Sequence, residues 1–150
     1  MRRSLNIYIF YIIMFILMLA AVVSAQQTQL TIPQVSQKAS VSQTIGLTDI
    51  TINYHGPKVN GREIWGKLVP YNEVWRGGAN ENTTITFTNP VKIEGKDIPV
   101  GTYGLHFIPT ENEWTVIFNK NSWSWGSFNY DQKDDQLRVT VKPVSADFQK

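Results

Sequence analysis

The stretch Thr102-Tyr103-Gly104-Leu105-His106-Phe107-Ile108-Pro109-Thr110-Glu111-Asn112-Glu113-Trp114-Thr115-Val116-Ile117-Phe118-Asn119 decides the fold. Tyr103, Leu105 and Phe107 recur at every second residue, and so do Trp114, Val116 and Phe118. A period of two puts such residues on one face of an extended chain, so each run reads as a strand with one buried side. The polar segment Pro109–Glu113 between them carries hairpin chemistry. Working outward, the same alternation places strands at Ile50–Tyr54, Thr84–Thr88 and Leu137–Val141. Val91 and Ile93 lead into the turn segment Glu94-Gly95-Lys96-Asp97 before Ile98 and Val100. Thr and aromatic enrichment fits strands. No long helical period interrupts them, and only Ile64–Leu68 and Glu73–Arg76 are compatible with single turns. The expectation is an all-β fold, an antiparallel sandwich or partly open barrel of short strands after an N-terminal signal helix, with the Ile50/Ile52, Leu105/Phe107 and Val116/Phe118 faces buried together.

Arg2 and Arg3 precede an apolar run from Ile7 to Val23 and then Val23-Ser24-Ala25. A basic start, an apolar core and a small-residue site describe a secretory signal peptide cut after Ala25, and so an exported protein, periplasmic or secreted. Uncut, the same segment would be the chain's attachment to a membrane. Residues 26–37 are rich in Gln, Thr and Ser and read as a flexible lead-in, and residues 38–150 as one β-domain. The chain has no Cys, so neither disulfides nor a lipidated N-terminal Cys enter the argument. Of 14 basic residues two precede Ala25, which leaves 12 against 12 acidic ones. A near-neutral domain gives no electrostatic case for nucleic acid.

Gly61–Glu81 concentrates Trp65, Trp75, Arg62, Arg76 and four glycines without clean periodicity. Residues of this kind plug one end of a sheet or line a pocket. Arg76 can bind a carboxylate or phosphate in bidentate fashion, with Asn80 and Glu81 beside it. The competing structural role is an internal Arg76–Glu81 bridge, with Asn80 fixing the loop, and Arg76 is expected to be buried against Glu81. Trp123 and Trp125 share a strand face by spacing; exposed, they would stack on sugar rings, and buried, they would cap the core. His55 and His106 sit at the off-face positions of their strands. They lack any ligand spacing and read as solvent-facing or loop-packing rather than as metal ligands assisted by Asn53, Asp49 or Glu63. No Gly-x-Ser-x-Gly elbow is present. Asp131–Asp135 lacks the Gly and terminal Glu of a calcium loop and reads as a solvated turn.

Several motifs occur in order: Gly46-Leu47-Thr48-Asp49, Gly61-Arg62-x-Ile64-Trp65-Gly66-x-Leu68-Val69-Pro70-Tyr71, Val74-Trp75-Arg76-x-Gly78-Ala79-Asn80-Glu81, Gly101-Thr102-Tyr103-x-Leu105-x-x-Ile108-Pro109 and Trp114-x-Val116-Ile117-Phe118-Asn119. Together they resemble the domain of unknown function 2911 family over roughly Ser36 to Pro143. The resemblance implies a secreted bacterial, predominantly β protein and no assigned activity. Similar members continue with further strands, so a chain stopping at Lys150 is expected to be truncated, or to close its sheet differently, with an exposed edge open to self-association.

The functional expectation is a ligand-binding module, for a small molecule or glycan, or a structural envelope module. The binding candidates are Arg62, Arg76, Asn80, Glu81, Trp123 and Trp125, without a cofactor. The alternative is an envelope hydrolase or isomerase using Arg76, Glu81 and a histidine. The two separate on geometry: an enzyme needs Glu81 and a histidine at one concave pocket, a binding module exposed indoles.

Overall fold

The structure is a computed structural model and describes residues 2–24 and 32–145. It comprises two units, Met1–Pro33 and Gln34–Lys150. In the first, Arg2–Ser24 forms a helix, α1. The expected cleavage after Ala25, and residues 26–31 of the lead-in, lie outside the described residues. Among the described residues no helix is long and apolar enough to cross a membrane.

The second unit is all-β and antiparallel. Its strands are β1 (Gln37–Ile45), β2 (Thr48–Gly56), β3 (Trp75–Arg76), β4 (Thr84–Phe87), β5 (Val91–Ile93), β6 (Lys96–Ile98), β7 (Gly101–Pro109), β8 (Trp114–Asn119) and β9 (Asp135–Val141). Seven of them form one open sheet in the order β1-β2-β4-β7-β8-β9, with β3 also paired to β7, while β5 and β6 make a separate hairpin. Every strand read from alternation is present. The quoted hairpin has the register that its pattern requires, since Leu105 lies opposite Phe118 and Phe107 opposite Val116. Opposed residues share a face, so the two apolar runs merge into one.

That face carries the core: Phe87, Tyr103, Leu105, Phe118 and Val139, with Ile98 of the small hairpin buried on top and Val91 and Ile93 packed beside it. The turn of this hairpin is narrower than the sequence suggests. Glu94 and Gly95 alone make it, at φ of 50° and 74°, and Lys96 and Asp97 already belong to β6. Positive φ at both central residues gives the twist that a two-residue hairpin needs. At the other end of the sheet, β1 pairs only with β2. Val41 and Ile45, which share the face of Ile52, remain exposed there.

Glu73–Arg76 departs from expectation. Instead of a helical turn, Trp75 and Arg76 extend and pair with Phe107 and His106. Hydrogen bonding to a waiting strand outweighs the weak local preference of two residues. β7 thus shares one edge between two partners, β4 along Gly101–Gly104 and β3 along His106–Phe107. At the junction Leu105 N–H donates to Thr83 O at 2.8 Å, and Gly77 N–H donates to Leu105 O at 3.3 Å.

Candidate functional site

The switch of partners along β7 opens a cleft of about 910 Å³ at the β3 end of the sheet. Trp65, Trp75, Trp114 and Phe107 line it together with Arg62, Arg76 and Asn80. The indoles of Trp65 and Trp114 meet edge to face at 4.5 Å and 63°, and Phe107 meets Trp114 at 6.1 Å. Such geometry suits the aromatic quadrupole and fixes the ring positions. The loop that brings Trp65 in is a tight turn, with Val69 N–H donating to Ile64 O at 2.8 Å and Gly66 N–H to Val69 O at 2.9 Å. Farther along, Gly78 adopts φ of 75°, and a Cβ there would lie 2.6 Å from His55 O. Only glycine lets the chain pass this close to β2.

Three of the six binding candidates, Arg62, Arg76 and Asn80, line the cleft, whereas Glu81, Trp123 and Trp125 do not. The expected Arg76–Glu81 bridge is corrected. Arg76 is half-buried, and among the described residues it forms no ion pair. Glu81 instead lies with Oε2 3.3 Å from His55 Nδ1. The reason is register: Arg76 extends opposite His106, and the Gly77–Asn80 bend then carries Glu81 across to the end of β2. Arg62 is exposed and donates from Nε to Val59 O at 2.9 Å and from Nη2 to Lys58 O, tying the cleft rim. Asn80 sits at φ of 59° and donates to Gln34 Oε1 at 2.9 Å.

The face opposite the core is mostly polar, with Ile117 fully buried beside His106, and is covered by the segment between β8 and β9. Both histidines lie on this face by register and are buried rather than facing solvent, and His106 packs under the covering segment. His106, 2% exposed, has Nδ1 2.7 Å from Ser127 Oγ and its ring 5.2 Å from that of Tyr130. Burial pushes its pKa below the usual histidine value, against a smaller opposing pull from the Asp135 carboxylate. Asp135 accepts from Asn119 Nδ2 at 2.8 Å, Tyr130 Oη at 2.8 Å and Arg138 Nε at 2.6 Å. Burial, then the hydrogen bond to Asp135, raises the Tyr130 pKa. Burial opposes the charge of Arg138, but its bonds to Asp135 and Tyr130 outweigh that and raise its pKa. Asn82 donates to Asn121 O at 3.2 Å and accepts from Ser124 Oγ at 3.0 Å. Sequence reading missed this network; the polar off-face residues of β7, β8 and β9 were its only trace.

Trp123–Tyr130 is not a strand, so the expected shared strand face of Trp123 and Trp125 is also corrected. Trp125 makes one isolated bridge to Glu81, and the covering loop otherwise follows its contacts to the network below. Trp123 is 91% exposed and does not cap the core. Asp131 caps a short 3-10 turn, Gln132–Asp134. Among the described residues, no three His, Cys, Asp or Glu side chains gather to hold a metal ion.

Neither the curated proteins nor the solved structures offered a match. A family model described as "Protein of unknown function (DUF2911)" matches residues 36–150, which span the whole sheet, the cleft and the covered polar face. With most of its length matched, the chain belongs to that family of proteins of unknown function.

Proposed function

We propose that the chain is an exported β-domain that binds a small-molecule or glycan ligand in the cleft at the β3 end of its sheet. One observation carries the reading: three indoles, of Trp65, Trp75 and Trp114, line the same concavity as Arg62, Arg76 and Asn80. Small-molecule sites combine largely aromatic walls with a few polar groups, and indoles stack on the apolar faces of sugar rings. Export rests on the Arg2-Arg3 start, the apolar run and Val23-Ser24-Ala25. The test is titration of the purified chain with soluble oligosaccharides, followed by tryptophan fluorescence. A saturable change is expected in the wild type and in Trp123→Ala but not in Trp114→Ala. An emission indifferent to every oligosaccharide, or unaltered binding in Trp114→Ala, would remove the proposal.

The contact of Glu81 with His55 favours a second reading, a hydrolase or isomerase, because a carboxylate beside an imidazole supports acid–base chemistry. It ranks below the first because neither residue lines the cleft. Glu81→Gln separates the two: ligand binding survives in a binding module, whereas turnover is lost in an enzyme.

A further inference from the structure

We infer that the outer edge of β1 pairs with the same edge of a second copy of this chain, giving a two-fold dimer in which Val41 meets the partner's Val41. This surface is separate from the cleft, and the inference does not depend on the cleft's ligand. β1 is a nine-residue edge strand, paired on one side with β2 and, among the described residues, with nothing on the other. Such an edge is a template for another strand unless something blocks it. The opposite edge of the sheet is blocked: Lys96 Nζ donates to Arg138 O of β9 at 3.0 Å, the β8–β9 register shifts at Phe118/Asn119, and Pro143 follows β9. β1 has no such device. Its register with β2 is continuous from Gln37 to Ile45, it holds no proline, and its one charged residue, Lys38, lies near its end. The chain just before it is drawn toward the cleft and away from the edge, because Asn80 Nδ2 donates to Gln34 Oε1 at 2.9 Å and to Ser36 O at 3.3 Å.

What fits this edge is the edge itself. Antiparallel pairing about Val41 matches all nine residues of β1 and keeps the apolar faces of both copies on one side. On the core side the register already runs Tyr103, Ile85, Ile52, Val41 across β7, β4, β2 and β1. Val41, 54% exposed, ends that row in water. Across the two-fold axis the partner's Val41 continues it. On the other side the charges choose the direction. Lys38 and Asp49 form no ion pair among the described residues. They lie at opposite ends of the β1–β2 hairpin, Lys38 opposite His55 and Asp49 opposite Thr44. Two-fold pairing sets Lys38 opposite the partner's Thr44, with the partner's Asp49 one strand further, about 9–10 Å from backbone to backbone. An extended lysine and an aspartate together span that distance over the small Thr44, and the symmetry repeats the ion pair. A parallel arrangement in register would instead set Lys38 against the partner's Lys38.

The chain has no cysteine, so one introduced thiol reports the register. In Val41→Cys the two thiols face each other across the axis, at a Cα separation of about 4.5–5.5 Å that suits a disulfide. In Gln43→Cys they are out of step, about 14 Å apart, because Gln43 falls opposite the partner's Ala39. Both positions are exposed, so neither change disturbs the core. Under mild oxidation the purified full chain is expected to form a disulfide-linked dimer about tenfold or more faster with Val41→Cys than with Gln43→Cys. Sedimentation over a concentration series should show a monomer–dimer equilibrium in the wild type. Lys38→Glu should weaken it about tenfold, and adding Asp49→Lys to that variant should restore it. Within one copy Lys38 and Asp49 are about 20 Å apart along the hairpin, so such coupling arises only between copies. A wild type that stays monomeric up to about 1 mM would overturn the inference. So would equal cross-linking at the two positions, or an association that ignores the charge reversal, as one through α1 would.

Discussion

Trp65 and Trp125 are almost equally exposed, at 49% and 50%, yet they belong to different kinds of surface. Trp65 has an indole neighbour, Trp114, at 4.5 Å and lines the cleft. Trp125 rides with Trp123 and the 81% exposed Phe128 on the loop that covers the polar face. The cleft is held by its aromatics, which pack on one another and on Phe107. The covering loop is held from below, through Ser127 on His106, through Tyr130 on Asp135 and through Asp131 O, which accepts from Asn119 Nδ2. Exposure alone therefore does not tell a site from an ornament; the partner of the ring does.

The sharpest way to break this comparison is Trp114→Ala. Removing the ring that both Trp65 and Phe107 contact should cost about 3 kcal/mol by cavity formation and abolish ligand binding, as read by thermal melting and fluorescence titration. An unchanged melt would mean that the cleft is not held by its aromatics. Asp135→Ala tests the other region. Losing the carboxylate shared by Asn119, Tyr130 and Arg138 should cost about 2–3 kcal/mol and raise hydrogen exchange in residues 120–131 before the rest of the sheet. Uniform exchange would show that the loop has other anchors.

A smaller effect is expected from pH. Because burial lowers the folded-state pKa of His106, the unfolded chain binds a proton first as pH falls. Stability is then full above the unfolded value of about 6.5 and is lost as pH drops from there through the folded pKa. The neighbouring Asp135 carboxylate works against the shift and moderates the slope. His106→Asn should flatten this part of a melting-temperature profile; an equally steep profile in the variant would assign the slope elsewhere. The smallest effect belongs to Trp123→Ala, within about 0.5 kcal/mol and with cleft binding intact. A substantial loss of either would move the exposed indole into the functional surface.

Strand positions were legible because alternation is a local property: Tyr103, Leu105 and Phe107 show it without any knowledge of their neighbours. The motifs also carried the family, and Gly61–Glu81 carried the part of the cleft that includes Arg62, Arg76 and Asn80. Pairing was not legible in the same way. Glu81 is five residues from Arg76 in the chain and was the natural partner, but β3 lies in the sheet and turns Arg76 toward His106 and Gly126, leaving Glu81 to His55. Trp114 read only as a strand residue, since its cleft role requires the Trp65 turn to arrive from a segment roughly fifty positions away. Likewise, off-face polar residues such as His106 and Asn119 look solvent-facing until a loop is known to cover them. Both are buried, at 2% and 1% exposure. The sequence by itself determined the strands that show alternation, which excludes β3, and it determined the family, because hydrophobic period and motif order are written along the chain. Tertiary structure alone decided the cleft, the partners of Arg76 and Glu81 and the covered polar face, because these depend on which distant segments the sheet order brings together.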